Sequence, residues 1–262
     1  MDRAMSALTA GLLSEVKKLD ITSNNLANVN TPGFKRDEVF SDWMSVFLMN
    51  ARSHPDPAAR DALKLAGLLE NREQDGTLVQ ARPILEAGPL QHTGDPLDVA
   101  IEGPGFFVLD RNGVPAYTRL GRFSLDAQGN LVSREGYAVL GVDGPLVIAP
   151  ASPNEPIQVR IEEDGTVFNG AQRIGQFKIV QFSPEAQLGK LEGTSFVAGE
   201  EGEILFPAEA VGLRQGYVEL SNVDVVKEMT EMISATRTFE AYQKSLQILD
   251  DLKGRLIQSL SR

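Results

Sequence analysis

Alternating steps of three and four residues from Val225 land on Val225, Glu228, Met232, Ala235, Phe239, Tyr242, Leu246, Leu249, Lys253, Leu256 and Leu260. All but Glu228 and Lys253 are apolar or aromatic. Such a seam specifies a helix over residues 224–260, roughly 55 Å long at 1.5 Å of rise per residue. Asp224 stands where an N-cap belongs, no proline follows it, and the one glycine, Gly254, comes only in the last third. A stripe of that length holds a helix in water only if something covers it.

A matching stripe lies at the other end of the chain. Met5, Leu12, Leu19 and Leu26 recur every seven residues, with Met1, Leu8 and Val16 between them, which predicts a second amphipathic helix over residues 3–27. The two helices can pair inside one globular domain. They can also pair and pack against further copies, since two helices do not bury a long seam completely.

Charge separates these ends from the middle. Residues 1–40 carry five acids and five bases and residues 224–262 carry six of each, so the whole net charge of −11 belongs to the central part. An acidic chain without a basic patch argues against nucleic acid and against an anionic membrane surface. No apolar run approaches the length of about 20 residues that spans a membrane. Residues 4–14 follow Arg3 as an uncharged run, but Glu15, Lys17 and Lys18 stand where a signal-cleavage site would need small residues, so a mature helix is expected there. The absence of cysteine excludes disulfides and thiolate metal sites.

Between the helices the pattern changes twice. Residues 37–96 are broken by Pro55, Pro57, Gly76, Pro83, Gly88 and Pro89 and read as a partly extended linker, with an apolar run at 43–49 and a helical fragment at 58–69. Residues 97–216 show short alternating runs that predict strands at 106–109, 116–118, 123–125, 131–133, 138–140, 157–161, 166–168 and 175–182. Turn residues separate them, including Asn112-Gly113, Gly129-Asn130, Gly165 and Asn169-Gly170, where positive φ is tolerated. The fold class expected is therefore α+β: terminal helices over 1–36 and 217–262 paired as a coiled-coil-like core, and an inserted all-β domain, curled or barrel-like.

Nothing in this pattern points to catalysis. The acidic turns at 126–130 and 162–165 lack the alternating ligands and closing Glu of a calcium loop. Gly103-Pro104-Gly105 lacks the spacing of a dinucleotide site, and two histidines, His54 and His92, without cysteine make a poor zinc site. No catalytic residue, cofactor or metal is expected.

The exit of the first helix is longer than a cap requires. It reads Asn24-Asn25-Leu26-Ala27-Asn28-Val29-Asn30-Thr31-Pro32-Gly33-Phe34-Lys35-Arg36. This string resembles the signature of the bacterial flagellar rod and hook axial proteins. Residues 215–226 and 237–240 resemble that family's closing helix, and residues 98–107 and 117–123 match it in the same order, so the likeness covers nearly the whole chain.

The resemblance implies a structural subunit, not an enzyme. It would polymerise through its terminal helices into the basal-body rod, the drive shaft that transmits torque from motor to hook. Met5, Leu8, Leu12, Leu19, Leu26, Val225, Met232, Phe239, Tyr242, Leu246, Leu249 and Leu256 would form the subunit interface, and Asn24, Asn25, Leu26, Ala27, Asn28, Thr31, Pro32, Gly33 and Phe34 the family motif. Its partners would be copies of itself and other flagellar rod proteins, with hook-side axial proteins and surrounding ring proteins as further neighbours. No nucleic acid and no direct membrane insertion are implied. Location in the periplasmic part of the basal body follows, after export without a cleaved signal peptide. Distal-rod members carry a Gly-Thr-Gly-Val insertion in the variable region, which this chain lacks, and that favours a proximal-rod type. Two alternatives remain at this stage: a distal-rod subunit, and a secreted β-domain binding module that oligomerises through its helices.

Overall fold

A computed structural model describes residues 2–41, 79–148, 157–182, 188–191, 194–198, 203–205 and 211–260. The apolar run at 43–49 and the helical fragment at 58–69 lie outside these residues. The chain forms two compact units. The first joins Met1–Leu26, Asp37–Arg82 and Asp224–Arg262, and the second joins Ala27–Arg36 and Pro83–Val223.

The first unit is built on two helices. Helix α1 (Asp2–Ala27) has 26 residues, and the C-terminal helix α2 (Val225–Leu260) has 36. Asp224 caps α2 as its position predicts: Oδ1 accepts the N–H groups of Val226 at 2.9 Å and Lys227 at 3.1 Å. Two contacts show how the helices run against each other. The Asn25 amide donates to Glu228 at 3.1 Å. Gly11 lies so close to Tyr242 that a Cβ there would stand 2.8 Å from the ring. Moving 14 residues back along α1 corresponds to moving 14 forward along α2, so the two run antiparallel. After α1 the chain contributes β1 (Asp37–Ser41), which pairs with β2 (Val79–Pro83).

The second unit is antiparallel β throughout its described pairings. Its strands begin with β3 (Leu90–His92), β4 (Val99–Glu102), β5 (Phe106–Arg111), β6 (Val114–Thr118), β7 (Ser124–Leu125), β8 (Leu131–Val132), β9 (Ala138–Gly141) and β10 (Gly144–Pro145). They continue with β11 (Val159–Ile161), β12 (Thr166–Asn169), β13 (Gln172–Gln176), β14 (Ile179–Phe182), β15 (Leu188–Lys190), β16 (Ser195–Ala198), β17 (Glu203–Leu205), β18 (Gly212–Gln215) and β19 (Tyr217–Glu219). A ten-stranded sheet follows the order β15-β16-β6-β5-β9-β8-β7, with β10 on β9 and the pair β14-β17 joined to β5. Smaller sheets are β11-β12-β13, β18-β4 and β19-β3.

Strand β5 is the centre of this unit because it is buried on both faces. Phe107 and Leu109 enter one apolar cluster with Val99, Phe123, Phe177 and Leu213, while Phe106 and Val108 enter a second with Tyr117, Val180, Phe182 and Phe196. The period of two along a strand divides them in this way. The hairpin that returns the chain to β6 uses Asn112 (φ 54°) and Gly113 (φ 86°), and Asp110 accepts the Gly113 N–H at 2.6 Å.

The strand expected at 175–182 is two strands. β13 ends on β12, the chain crosses at Phe177 and Lys178, and β14 pairs instead with β5 and β17. Buried Phe177 and Ile179 alternate with half-buried Gln176 and Lys178 straight through the crossing, so a change of sheet leaves no mark in hydropathy.

Two acidic turns lock by hydrogen bonds. The Asn130 side chain donates to Asp126 at 2.7 Å, joined by the backbone N–H groups of Asn130 and Gln128, and these hold the Asp126 carboxyl below its ordinary range. The Thr166 N–H and hydroxyl, both at 2.8 Å, do the same for Asp164. A lowered carboxyl pKa stabilises the fold above the unfolded value, and that contribution is lost as pH falls through the lowered value. Carboxyl titration by NMR is expected to place both inflections below 3.8, with the amide shifts of Asn130 and Thr166 following them. Inflections at or above 3.8 would contradict this reading of the turns.

Candidate assembly faces and the buried charge cluster

The residues of α2 that lose exposure follow the heptad seam. Glu228 and Ala235 are each 1% exposed, and Val225, Met232, Phe239, Tyr242, Leu246 and Leu249 are half-buried. Leu256 lies near the end of the same helix. Sequence reasoning missed a second apolar group on α2. Val226, Met229 and Ile233 are 74%, 49% and 56% exposed, and their spacing of three and four residues puts them on one side of the helix, away from the seam. That spacing is itself a sequence signal, overshadowed by the longer seam. Ile248 and Leu252 are exposed further along.

On α1, Gly11 and Asn25 touch α2 and define a line that passes through residue 18. Met5, Leu12, Leu19 and Leu26 each lie one residue beyond that line, about 100° round the helix. With Leu8 they are half-buried, whereas Ile21, Thr22 and Asn25 are buried and Leu13 is exposed. The leucine stripe and the line of observed contact are therefore different strips of the same helix.

Of the motif residues, Asn24 and Ala27 are exposed, Asn25 is buried and Leu26 is half-buried. Beyond α1 the Asn28 carbonyl accepts the Thr31 N–H at 3.1 Å and its side chain accepts the Thr31 hydroxyl at 3.2 Å, forming a turn that carries the chain through half-buried Pro32. Gly33 has φ +72° and donates its N–H to the Glu219 carbonyl at 2.8 Å. A Cβ there would meet the Leu120 backbone at 2.7 Å, so both conformation and space call for glycine. Phe34 is buried, with the Lys190 ammonium 3.8 Å from its ring centroid.

The next residue anchors a cluster of three buried charges. Lys35 ion-pairs with Glu219 and donates to the Glu86 carbonyl at 2.6 Å. Glu219 also accepts the Gly88 N–H at 2.8 Å and stands 3.6 Å from the Arg119 Nε. Arg119 donates Nη2 to the Gly103 carbonyl at 2.7 Å and packs over Phe106. Burial pushes the Lys35 amine below its ordinary value and the Glu219 carboxylate draws it part of the way back; Arg119 is lowered for the same reason. Asn222 continues the network, accepting the Arg36 N–H at 2.7 Å and donating to the carbonyls of Ile84 and Glu86 at 2.9 and 3.1 Å. Segments 31–36, 84–88, 119 and 219–222 are thus held around one charge cluster, which sequence spacing could not reveal because Lys35 and Glu219 are 184 residues apart.

This arrangement can bind backbone to backbone and helix to helix. Among the described residues no three His, Asp or Glu side chains gather to hold a metal ion, and no helix is long and apolar enough to cross a membrane.

Long terminal helices bracketing a β unit, with apolar strips left outward, define a structural assembly protein. Three family models match this chain: "Flagella basal body rod protein" over residues 1–35, "Flagellar hook protein FlgE/F/G D1 domain" over residues 100–169, and "Flagellar basal body rod FlgEFG protein C-terminal" over residues 214–259. The chain is 35% identical to the flagellar basal-body rod protein FlgG of Borreliella burgdorferi, over 97% of each chain. It is 32% identical to FlgG of Bacillus subtilis over 98% of each, and 30% identical to the rod protein FlgF of Caulobacter vibrioides over 100% of this chain and 99% of the relative. The chain belongs to the flagellar basal-body rod protein family of FlgG and FlgF, a family of structural proteins and not of enzymes.

Replacing Lys35 with Met would leave Glu219 buried without its nearest cation, and removal of one partner from a buried pair costs about 3–5 kcal/mol. Denaturant unfolding of Lys35→Met is expected to show a loss of that size. For Gly33→Ala, strain at positive φ sets the expected loss at about 1–3 kcal/mol, read in the same way.

Proposed function

We propose that this chain is a structural subunit of the flagellar basal-body rod and assembles through its two terminal helices. The observation that carries this reading is the excess of apolar helix surface. The seam of α2 is half-buried along most of its length, yet Val226, Met229 and Ile233 stand exposed on the other side. The relatives support it, since they match over both helices as well as the β unit, which a free-standing binding module would not require.

In this reading the α1–α2 pair is coiled-coil-like, and the interface with neighbouring subunits includes Met5, Leu8, Leu12, Leu19 and Leu26 on α1. On α2 it includes Val225, Met232, Phe239, Tyr242, Leu246, Leu249 and Leu256. The neighbours are copies of this chain and other rod proteins, with hook-side axial proteins and surrounding ring proteins beyond them. A contact between unlike surfaces does not close on itself, so it propagates along an axis and builds a shaft able to carry torque from motor to hook. Near-neutral charge at both ends suits dense packing, because like charges repeated at every contact would repel. The rod lies in the periplasmic space, and the chain reaches it without cleavage of a signal peptide. A proximal position in the rod is supported by the missing Gly-Thr-Gly-Val string.

Phe239→Asp or Leu246→Asp is expected to abolish incorporation into isolated basal bodies and swarming in soft agar, while the strand signal in circular dichroism persists. Normal incorporation of either variant would remove the seam from the interface.

A further inference from the structure

The seam of α2 is interrupted by Glu228, a carboxylate 1% exposed in the middle of an apolar strip. A charge in that position is costly to desolvate unless it is partnered, so its partner matters. Asn25 supplies one, through an Nδ2–H···Oε2 hydrogen bond of 3.1 Å. The remaining groups of the same amide are also used. Nδ2 donates to the Asp37 carbonyl at 2.8 Å, and Oδ1 accepts the Asp37 N–H at 2.9 Å. The amide thereby mimics one rung of a β ladder towards Asp37 and spends its second N–H on α2.

We infer that the buried Asn25–Glu228 pair is a register lock, which fixes the axial alignment of α1 against α2 and the return of the chain into β1. The heptad seam of α2 by itself specifies register weakly, because it repeats every seven residues. The polar pair does not repeat. With Asn25 level with Glu228, a slip one way sets Asn25 against Ala235 and leaves Glu228 beyond the end of α1; a slip the other way carries Asn25 beyond the start of α2. Either shift removes the Asn25–Glu228 hydrogen bond. Asn25 is in this sense a positioning residue: beside the close approach of Tyr242 to Gly11, it selects one of several alignments that the repeating seam of α2 would tolerate. The lock is a property of the chain itself and does not rest on the rod reading.

The absence of cysteine makes the register directly measurable. Thr9 and Lys244 are exposed and level with one another in the observed alignment. Thr9→Cys and Lys244→Cys, each carrying a nitroxide, report that alignment through the distance distribution measured by pulsed electron resonance on the full chain, both purified and in isolated basal bodies. With Asn25 and Glu228 intact, one narrow distance is expected. Asn25→Leu is expected to add populations displaced along the axis by roughly 10 Å, the rise of seven residues. Asn25→Leu combined with Glu228→Leu removes the buried carboxylate together with its amide partner, with retained helicity checked by circular dichroism, and it too is expected to show several distances. A single unchanged distance in the double variant would overturn the lock. Loss of incorporation with an unchanged distance would likewise count against it, since the variant would then act on assembly and not on register.

Discussion

An amphipathic helix persists in water only when its apolar strip is covered, and in this chain the strips outnumber the covers. Helix α2 is ten residues longer than α1 and carries apolar side chains on two sides, the heptad seam and the group of Val226, Met229 and Ile233. One antiparallel neighbour can shield one side. Everything else about the helical unit depends on this imbalance: it makes the chain a component, with Leu13 and the half-buried leucine stripe of α1 as further surface of the same kind.

The β unit solves a different problem, that of holding distant parts of the chain with few residues. Two clusters sharing β5 supply most of its apolar burial, and the charge cluster of Lys35, Arg119 and Glu219 gathers the segments that follow α1 and precede α2 in the chain. A buried ion pair contributes little net stability compared with apolar residues of the same size, but it discriminates strongly against wrong arrangements because an unpaired member is costly. That is the same logic as the Asn25–Glu228 pair in the helical unit. In both places a polar contact specifies which residues must meet.

The helices were legible because their signal is local and repeated. The seam from Val225, the cap at Asp224 and the start and end of α1 all follow from spacing, and turns such as Asn112-Gly113 follow from tolerance of positive φ. Strands β5, β6, β9 and β12 were legible from alternation between turns. What was hidden depends on partners remote in sequence. The crossing at Phe177 from one sheet to another, the pairing of β4 with β18 and of β3 with β19, and the meeting of Lys35 with Glu219 have no local period to betray them. The motif was recognisable as a string, but its physical content was not: Asn25 as a clamp on Asp37 and Glu228, and Gly33 as a close approach to Leu120, emerge only from geometry.

Whether neighbouring subunits along the rod complete the uncovered helix surface can be seen by electron cryo-microscopy of basal bodies from the cells that make this chain. Side-chain density for this sequence is expected within the rod, with Val226, Met229 and Ile233 of α2 packed against the helices of adjacent subunits. Density for the chain in the rod with those residues facing solvent, or no density in the rod at all, would contradict it.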